Sequence, residues 1–358
     1  RFEISDTMEH EDAILVRSAK LHDYDFPAEL LCIARAGAGV NNIPLDRAAE
    51  AGIVVFNTPG ANANGVKELT IAALLLASRK ISQGITWVKE QAAAGADVAA
   101  VVEKGKAAYV GPEIQGKTLG VVGLGAIGVL VANAAAALGM QIVGYDPFLS
   151  VQHALNLTPG VKVVSTLEEL YGQADYISLH LPMTPETKGT LNDAAFAAMK
   201  DGVRIVNLAR GELVDTEALK AALASGKCAA YVTDFPNSET AAMEGVVAIP
   251  HLGASTPESE DNCAMMAARQ VRDYLDNGNI VNSVNLPVLS MAWAAKNRVC
   301  VLTKGADAAA IAAAVPAVAS ASKTRGEYGY FLLDPDAQVD TAAIAALPGV
   351  LRVRVLHQ

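Results

Sequence analysis

The stretch VVGLGAIG, residues 121–128, constrains this chain more than any other. Gly123, Gly125 and Gly128 stand as G-x-G-x-x-G directly after an apolar run that reads as a strand. The following AIGVLVANAAAALG reads as a helix ending at Gly139. At such a strand–turn–helix the first glycine permits a tight turn and the second lets backbone approach a pyrophosphate. The third lets helix and strand pack closely. Free N–H groups at the helix start then face the phosphates. The next strand, QIVGYD, ends in Asp146, eighteen positions after Gly128. A carboxylate there accepts hydrogen bonds from both ribose hydroxyls and repels a 2′-phosphate, so the expected cofactor is NAD rather than NADP.

Short apolar strands alternate with helical stretches along most of the 358 residues, the pattern of a parallel α/β sheet. Strands are expected at 13–18, 30–36 and 52–58, and again at 118–122, 141–145, 161–164, 175–179, 203–207, 229–233 and 246–249. Residues 64–80 and 257–278 read as long helices, the first opened by Asn64 and the second closed by Gly278. The alanine-rich 92–108 stretch is ambiguous and reads as helix, then loop. Residues 297–358 read strand, helix, strand, strand, helix, strand, a small separate unit.

Composition narrows the function. Hydrophobic residues make up 52% and charged residues 18%, which describes a globular protein. The net charge of −10 weighs against a nucleic-acid partner, which favours a basic face. No apolar run is long enough to suggest a membrane span. The acidic opening RFEISDTMEHED lacks the basic region of a secretory leader, so a cytoplasmic location is expected. Cys32, Cys228, Cys263 and Cys300 lie far apart without metal-ligand spacing, as reduced thiols do.

Further strand ends carry polar groups where a doubly wound sheet opens its ligand crevice. IVNLARGELVD places Arg210 beyond an apolar strand, where a guanidinium could grip a carboxylate through two parallel hydrogen bonds. YVTDFPNSE supplies Asp234 and Glu239, and VVAIPHLGAST supplies His251. Oxidising an alcohol carbon needs a hydride acceptor, a base for the hydroxyl proton and an anchor for the substrate. A histidine suits the base, and a carboxylate beside it stabilises the imidazolium. Glu239 and Glu244 both remain candidates for that carboxylate. His180, in ISLHLPMTPETKG, also follows a strand, but its neighbours suit backbone contacts to a cofactor better than proton transfer.

In ordered motifs the chain resembles the D-2-hydroxyacid dehydrogenase family, and within it the phosphoglycerate branch. The motifs are LVRS, IARAGAGVNN, VVFNTPGANA, GKTLGVVGLGAIG, YDPF, LHLPMTPETKG, NLARGELVD, TDFPN and PHLGAST. The resemblance implies Arg210, Glu239 and His251 as the catalytic set. It implies cofactor contacts at Thr58, Ala126, Ile127, Asp146, Leu181, Leu208, Ala209, Asp234 and the Leu252–Gly253–Ala254 turn, beside Gly123, Gly125 and Gly128. Arg17 and Arg35 match arginines that hold an anionic substrate, with Gly37, Ala38 and Gly39 offering backbone N–H groups to its carboxylate. Arg210 and His251 would also touch that substrate. If Arg17 and Arg35 proved dispensable, an unphosphorylated acid would fit instead.

The implied fold is α/β: two doubly wound, parallel-sheet (Rossmann-like) domains plus a small C-terminal α+β, ACT-like domain. The substrate domain would be discontinuous (1–83 and 257–290), the NAD-binding domain would span 84–256, and the ACT-like domain 297–358. The last lacks the Asn-x-Pro-Gly loop that helps such domains bind an amino acid. The family commonly pairs through its nucleotide domains, so a homodimer or higher homo-oligomer is expected.

Overall fold

A computed structural model describes residues 2–7 and 9–358. The chain divides into two compact units, one running to Ala61 and resuming at Glu260–Gln358, the other comprising Asn62–Ser259.

The first unit begins with three parallel strands in sequence order, β1 (Ala13–Val16), β2 (Cys32–Arg35) and β3 (Val54–Phe56). The second unit holds β4 (Thr118–Val122), β5 (Gln141–Tyr145), β6 (Lys162–Val163), β7 (Tyr176–Leu179), β8 (Val203–Asn207), β9 (Cys228–Thr233) and β10 (Val246–Ala248). These seven form one parallel sheet in the order β10-β9-β8-β7-β4-β5-β6. The order reverses between β4 and β7, so a crevice opens beyond their carboxyl ends, where doubly wound sheets take ligands.

Alternation along those strands feeds a core on each face. Val122, Ile177, Leu179, Ile205 and Tyr231 pack on one side. Val121, Tyr176, Val206 and Val232 pack on the other. Because both faces are covered, the strands read as continuous apolar runs.

The helix Ala63–Ser78 belongs to this second unit, not to a substrate domain reaching residue 83. Its Val66, Ala73, Leu74 and Ala77 share the core of Val121 and Val232, and the Ser78 hydroxyl lies 2.8 Å from the Tyr176 hydroxyl. Burial of that apolar stripe, not the Gly and Asn punctuation before it, decides the boundary. The ambiguous 92–108 stretch falls across the end of one helix, Ile81–Ala93, and a second, Val98–Gly105, capped by the Asp97 carboxylate.

The first unit closes with β11 (Asn297–Lys304), β12 (Ala319–Arg325), β13 (Tyr328–Asp334) and β14 (Val350–His357), antiparallel in the order β12-β13-β11-β14. With short helices after β11 and β13 this is a split βαβ arrangement. Val299, Val301, Phe331 and Leu333 face those helices. Their alternates, Cys300, Leu302, Tyr330 and Leu332, share a core with Cys32, Ala34, Val54 and Phe56 of the parallel strands.

Residues 297–358 thus have a small core of their own on one sheet face, and through the other face they join the core of the first unit. Each buried side chain of that kind contributes about 1.5–3 kcal/mol. Within that sheet a buried ion pair links β11 to β13: Arg298 and Asp334, both fully buried, meet at 2.7 Å. The remaining guanidinium N–H groups donate to the carbonyls of Asn277, Met291 and Ala292.

Candidate active site

The second unit presents the expected nucleotide loop between β4 and the helix Ala126–Ala137. Gly123 adopts φ +94°, in the region that disfavours side chains, and a Cβ there would crowd the His180 carbonyl and Leu181. A Cβ on Gly128 would run into the Gly123 carbonyl, so helix and turn need a glycine there to approach. Gly125, by contrast, faces open space and caps the helix without a side chain. Ala126 and Ile127 begin that helix, with their N–H groups in its unsatisfied first turn. The Asp146 carboxylate accepts from the N–H of Leu124 at 2.9 Å and of Phe148 at 2.8 Å, which fixes it beside the glycine turn. A bare helix end, an open glycine and a braced carboxylate fit the pyrophosphate and ribose of NAD.

Leu181 follows β7 next to this turn. His180 directs Nε2 to the Ser178 hydroxyl at 2.8 Å, and burial pushes its pKa down to about 4. A ring that stays neutral suits a wall of the cofactor site rather than a proton carrier.

Beyond β8 the buried Asn207 organises the turn Leu208–Ala209–Arg210. Its amide donates to the Arg210 carbonyl at 2.8 Å and to the Tyr231 hydroxyl at 3.0 Å. Its oxygen accepts from the Ala209 N–H at 3.1 Å and the Arg210 N–H at 3.3 Å. The Arg210 guanidinium lies 5.3 Å from the centre of the Phe235 ring, and the His251 ring packs against the same phenyl at 4.3 Å. Phe235 thus gathers the two groups expected to hold and deprotonate a hydroxy acid, and both remain solvent-exposed.

Asp234 lies directly before that phenyl, with 1% exposure. One carboxylate oxygen accepts from the Gly253 N–H at 2.9 Å, which ties β9 to the Leu252–Gly253–Ala254 turn. The other oxygen is buried and, among the described residues, has no hydrogen-bond partner. Burial raises the Asp234 pKa, and the Gly253 amide, His251 and Arg210 oppose that rise.

Glu239 stands elsewhere. It faces Lys220 at 3.5 Å, and with Glu244 it lines a cavity of about 1040 Å³ that includes Arg204 and Cys228 from the starts of β8 and β9. Among the described residues neither glutamate forms a hydrogen bond or ion pair with His251.

In the first unit Arg17 and Arg35 sit at the ends of β1 and β2, neighbouring parallel strands that pair Val16 with Arg35. Arg35 Nε donates to the Arg17 carbonyl at 3.2 Å, and its guanidinium lies where a Cβ on Gly37 would be. Thr58 is fully buried, and its hydroxyl accepts from the Gly37 N–H at 2.7 Å. That uses the Gly37 donor internally and leaves Ala38 and Gly39 to offer theirs. Arg17 forms an ion pair with Glu260 at 2.7 Å.

Sequence reasoning missed three contributors: Asn207, Phe235 and Glu260. Asn207 and Phe235 lie inside quoted motifs, NLARG and TDFPN, but their roles depend on which side chains surround them. No pattern in the sequence flags Glu260.

Residues 71–253 match the family model for the NAD-binding domain of D-isomer specific 2-hydroxyacid dehydrogenases. A D-3-phosphoglycerate dehydrogenase of Rattus norvegicus is 38% identical over 291 residues, 79% of this chain and 52% of that protein. The chain thus spans about half the length of the curated relatives it matches. An NAD+-bound 3-phosphoglycerate dehydrogenase from Entamoeba histolytica superposes with a TM-score of 0.59 at 32% identity, covering 78% of this chain and 83% of that one. An apo D-mandelate dehydrogenase from Rhodotorula graminis gives 0.65 at 28% identity, covering 78% and 84%. By these matches the chain belongs to the D-isomer specific 2-hydroxyacid dehydrogenase family and carries its NAD-binding domain.

Proposed function

We propose that this protein oxidises D-3-phosphoglycerate to 3-phosphohydroxypyruvate with NAD, the first committed chemistry toward L-serine, in the cytoplasm and as a homo-oligomer. The observation that carries the chemistry is the meeting of Arg210 and His251 on Phe235, beside buried Asp234. The substrate class rests on the paired arginines at the ends of β1 and β2 and on the phosphoglycerate dehydrogenases among the relatives.

Gly123, Gly125, Gly128 and Asp146 would hold NAD, which supplies the hydride acceptor when bound. Arg210 orients the substrate carboxylate and so fixes C2. A ring nitrogen of His251 takes the C2 hydroxyl proton, and the alcohol becomes a ketone as the hydride departs. Asp234 lies beside that step, buried and tied to the His251 loop through the Gly253 N–H. The family's glutamate falls on Glu239, which would have to leave Lys220 to reach the histidine. Arg17 and Arg35 take the phosphate, whose charge of about −1.5 to −2 calls for more than one cation.

One observation favours a second reading. Arg17 already holds a carboxylate, as it could in an enzyme for an unphosphorylated acid such as a glyoxylate or hydroxypyruvate reductase. NADH formation from NAD with D-3-phosphoglycerate, D-glycerate and D-lactate separates the two. Preference for the phosphorylated acid is expected; turnover of D-glycerate or D-lactate alone would overturn the substrate and keep the family. Tight NADH binding with no turnover in either direction would mark a cofactor-sensing protein.

A further inference from the structure

We infer that Glu260 is a built-in competitor for Arg17 and acts as a filter selecting a phosphate over a second carboxylate. The inference rests on the proposal that Arg17 receives the distal anion of the substrate.

Two guanidinium groups at adjacent strand ends repel each other, and Arg35 is held close by its bond to the Arg17 carbonyl. Glu260, in the opening turns of the helix Pro257–Asn277, relieves that repulsion by pairing with Arg17 at 2.7 Å. The pairing raises the Arg17 pKa and lowers that of Glu260, as a mutual charge-assisted hydrogen bond does. Both side chains are about half exposed, at 48% and 50%, so the carboxylate can swing into water when a better anion arrives. An exposed pair of this kind is weak enough to exchange.

The exchange discriminates by charge. A phosphomonoester brings up to two negative charges and three acceptor oxygens, so it gains over the carboxylate it displaces. A 2-hydroxy acid with a distal carboxylate replaces one carboxylate by another and gains almost nothing. An acid with a neutral end leaves the Arg17–Glu260 pair intact. Arg17 thus attracts anions, and Glu260 sets how strong the anion must be.

The test compares wild type, Glu260→Gln and Arg17→Gln in steady-state kinetics at low ionic strength, with D-3-phosphoglycerate, D-malate and D-glycerate. Glutamine keeps the shape of Glu260 without its charge. The inference expects Glu260→Gln to lower the KM for D-3-phosphoglycerate by about threefold. It also expects kcat/KM for D-malate to rise by a larger factor, with D-glycerate unchanged. Arg17→Gln should raise the phosphoglycerate KM by about tenfold or more. If Glu260→Gln leaves that KM unchanged or raises it, Glu260 merely orients Arg17 and the filter is wrong. If wild type ignores D-3-phosphoglycerate, or Arg17→Gln leaves its KM unchanged, the substrate reading itself fails, and the filter with it.

Discussion

Replacing Asn207 by alanine tests whether the Arg210 turn is set by one buried side chain. Asn207 makes four hydrogen bonds, two as donor to the Arg210 carbonyl and the Tyr231 hydroxyl and two as acceptor from the Ala209 and Arg210 amides. At roughly 1 kcal/mol net for each, partly recovered where water reaches the freed turn, the loss of stability should be about 2–4 kcal/mol. The functional effect is more specific. Without its brace the turn no longer holds the Arg210 guanidinium beside Phe235, so the KM for the hydroxy acid should rise about tenfold, the cost of a misplaced anchor. NAD affinity should change little, since the glycine turn and Asp146 are untouched. Urea unfolding, hydroxy-acid kinetics and NADH fluorescence titration measure the three quantities. A stability loss below about 1 kcal/mol together with an unchanged KM would refute the reasoning, because the turn would then be held by the backbone alone.

Three further outcomes follow from the site. His251→Ala should reduce turnover by roughly 10²- to 10⁴-fold while leaving NAD binding intact, measured by pre-steady-state kinetics and titration; normal turnover would remove His251 from the chemistry. Asp146→Ala should raise the KM for NAD and relax the exclusion of NADP, and an unchanged ratio of kcat/KM for the two cofactors would count against its ribose role. Neutral His180 carries a pH signature. Its folded pKa of about 4 lies below the ordinary 6.5, so its contribution to stability is full above pH 6.5 and is lost as pH falls toward 4. The urea midpoint of wild type should therefore drop across that window more steeply than that of His180→Asn, and parallel curves would show that the ring is hydrated in the native state.

Much of the nucleotide-binding unit is legible without coordinates because its rules are local. The strands at 118–122, 141–145 and 203–207 match β4, β5 and β8 as expected, since both sheet faces are covered and apolar runs signal burial directly. Gly123, Gly128 and Asp146 are equally legible: a positive φ, a close helix–turn approach and a strand-end carboxylate are each tied to one residue type at one spacing. The order of motifs also placed Arg210 and His251 at strand ends.

Tertiary structure decided what depends on partners distant in the chain. The Ala63–Ser78 helix reads the same whichever sheet it covers, and only its packing with Val121 and Val232 assigns it to the second unit. Residues 297–358 read as a separate domain because strand alternation shows two faces but not what covers the second. Here Cys300, Leu302, Tyr330 and Leu332 bury against Cys32, Val54 and Phe56, and Arg298 donates to the carbonyls of Asn277, Met291 and Ala292 across the join. The electrostatics followed the same division. Motif spacing offered Glu239 to His251, but its nearest charge is Lys220, while Arg17 found Glu260 far along the sequence. Short-range sterics and periodicity are written along the chain, whereas ion pairs and shared cores are chosen by distances that exist only once it has folded.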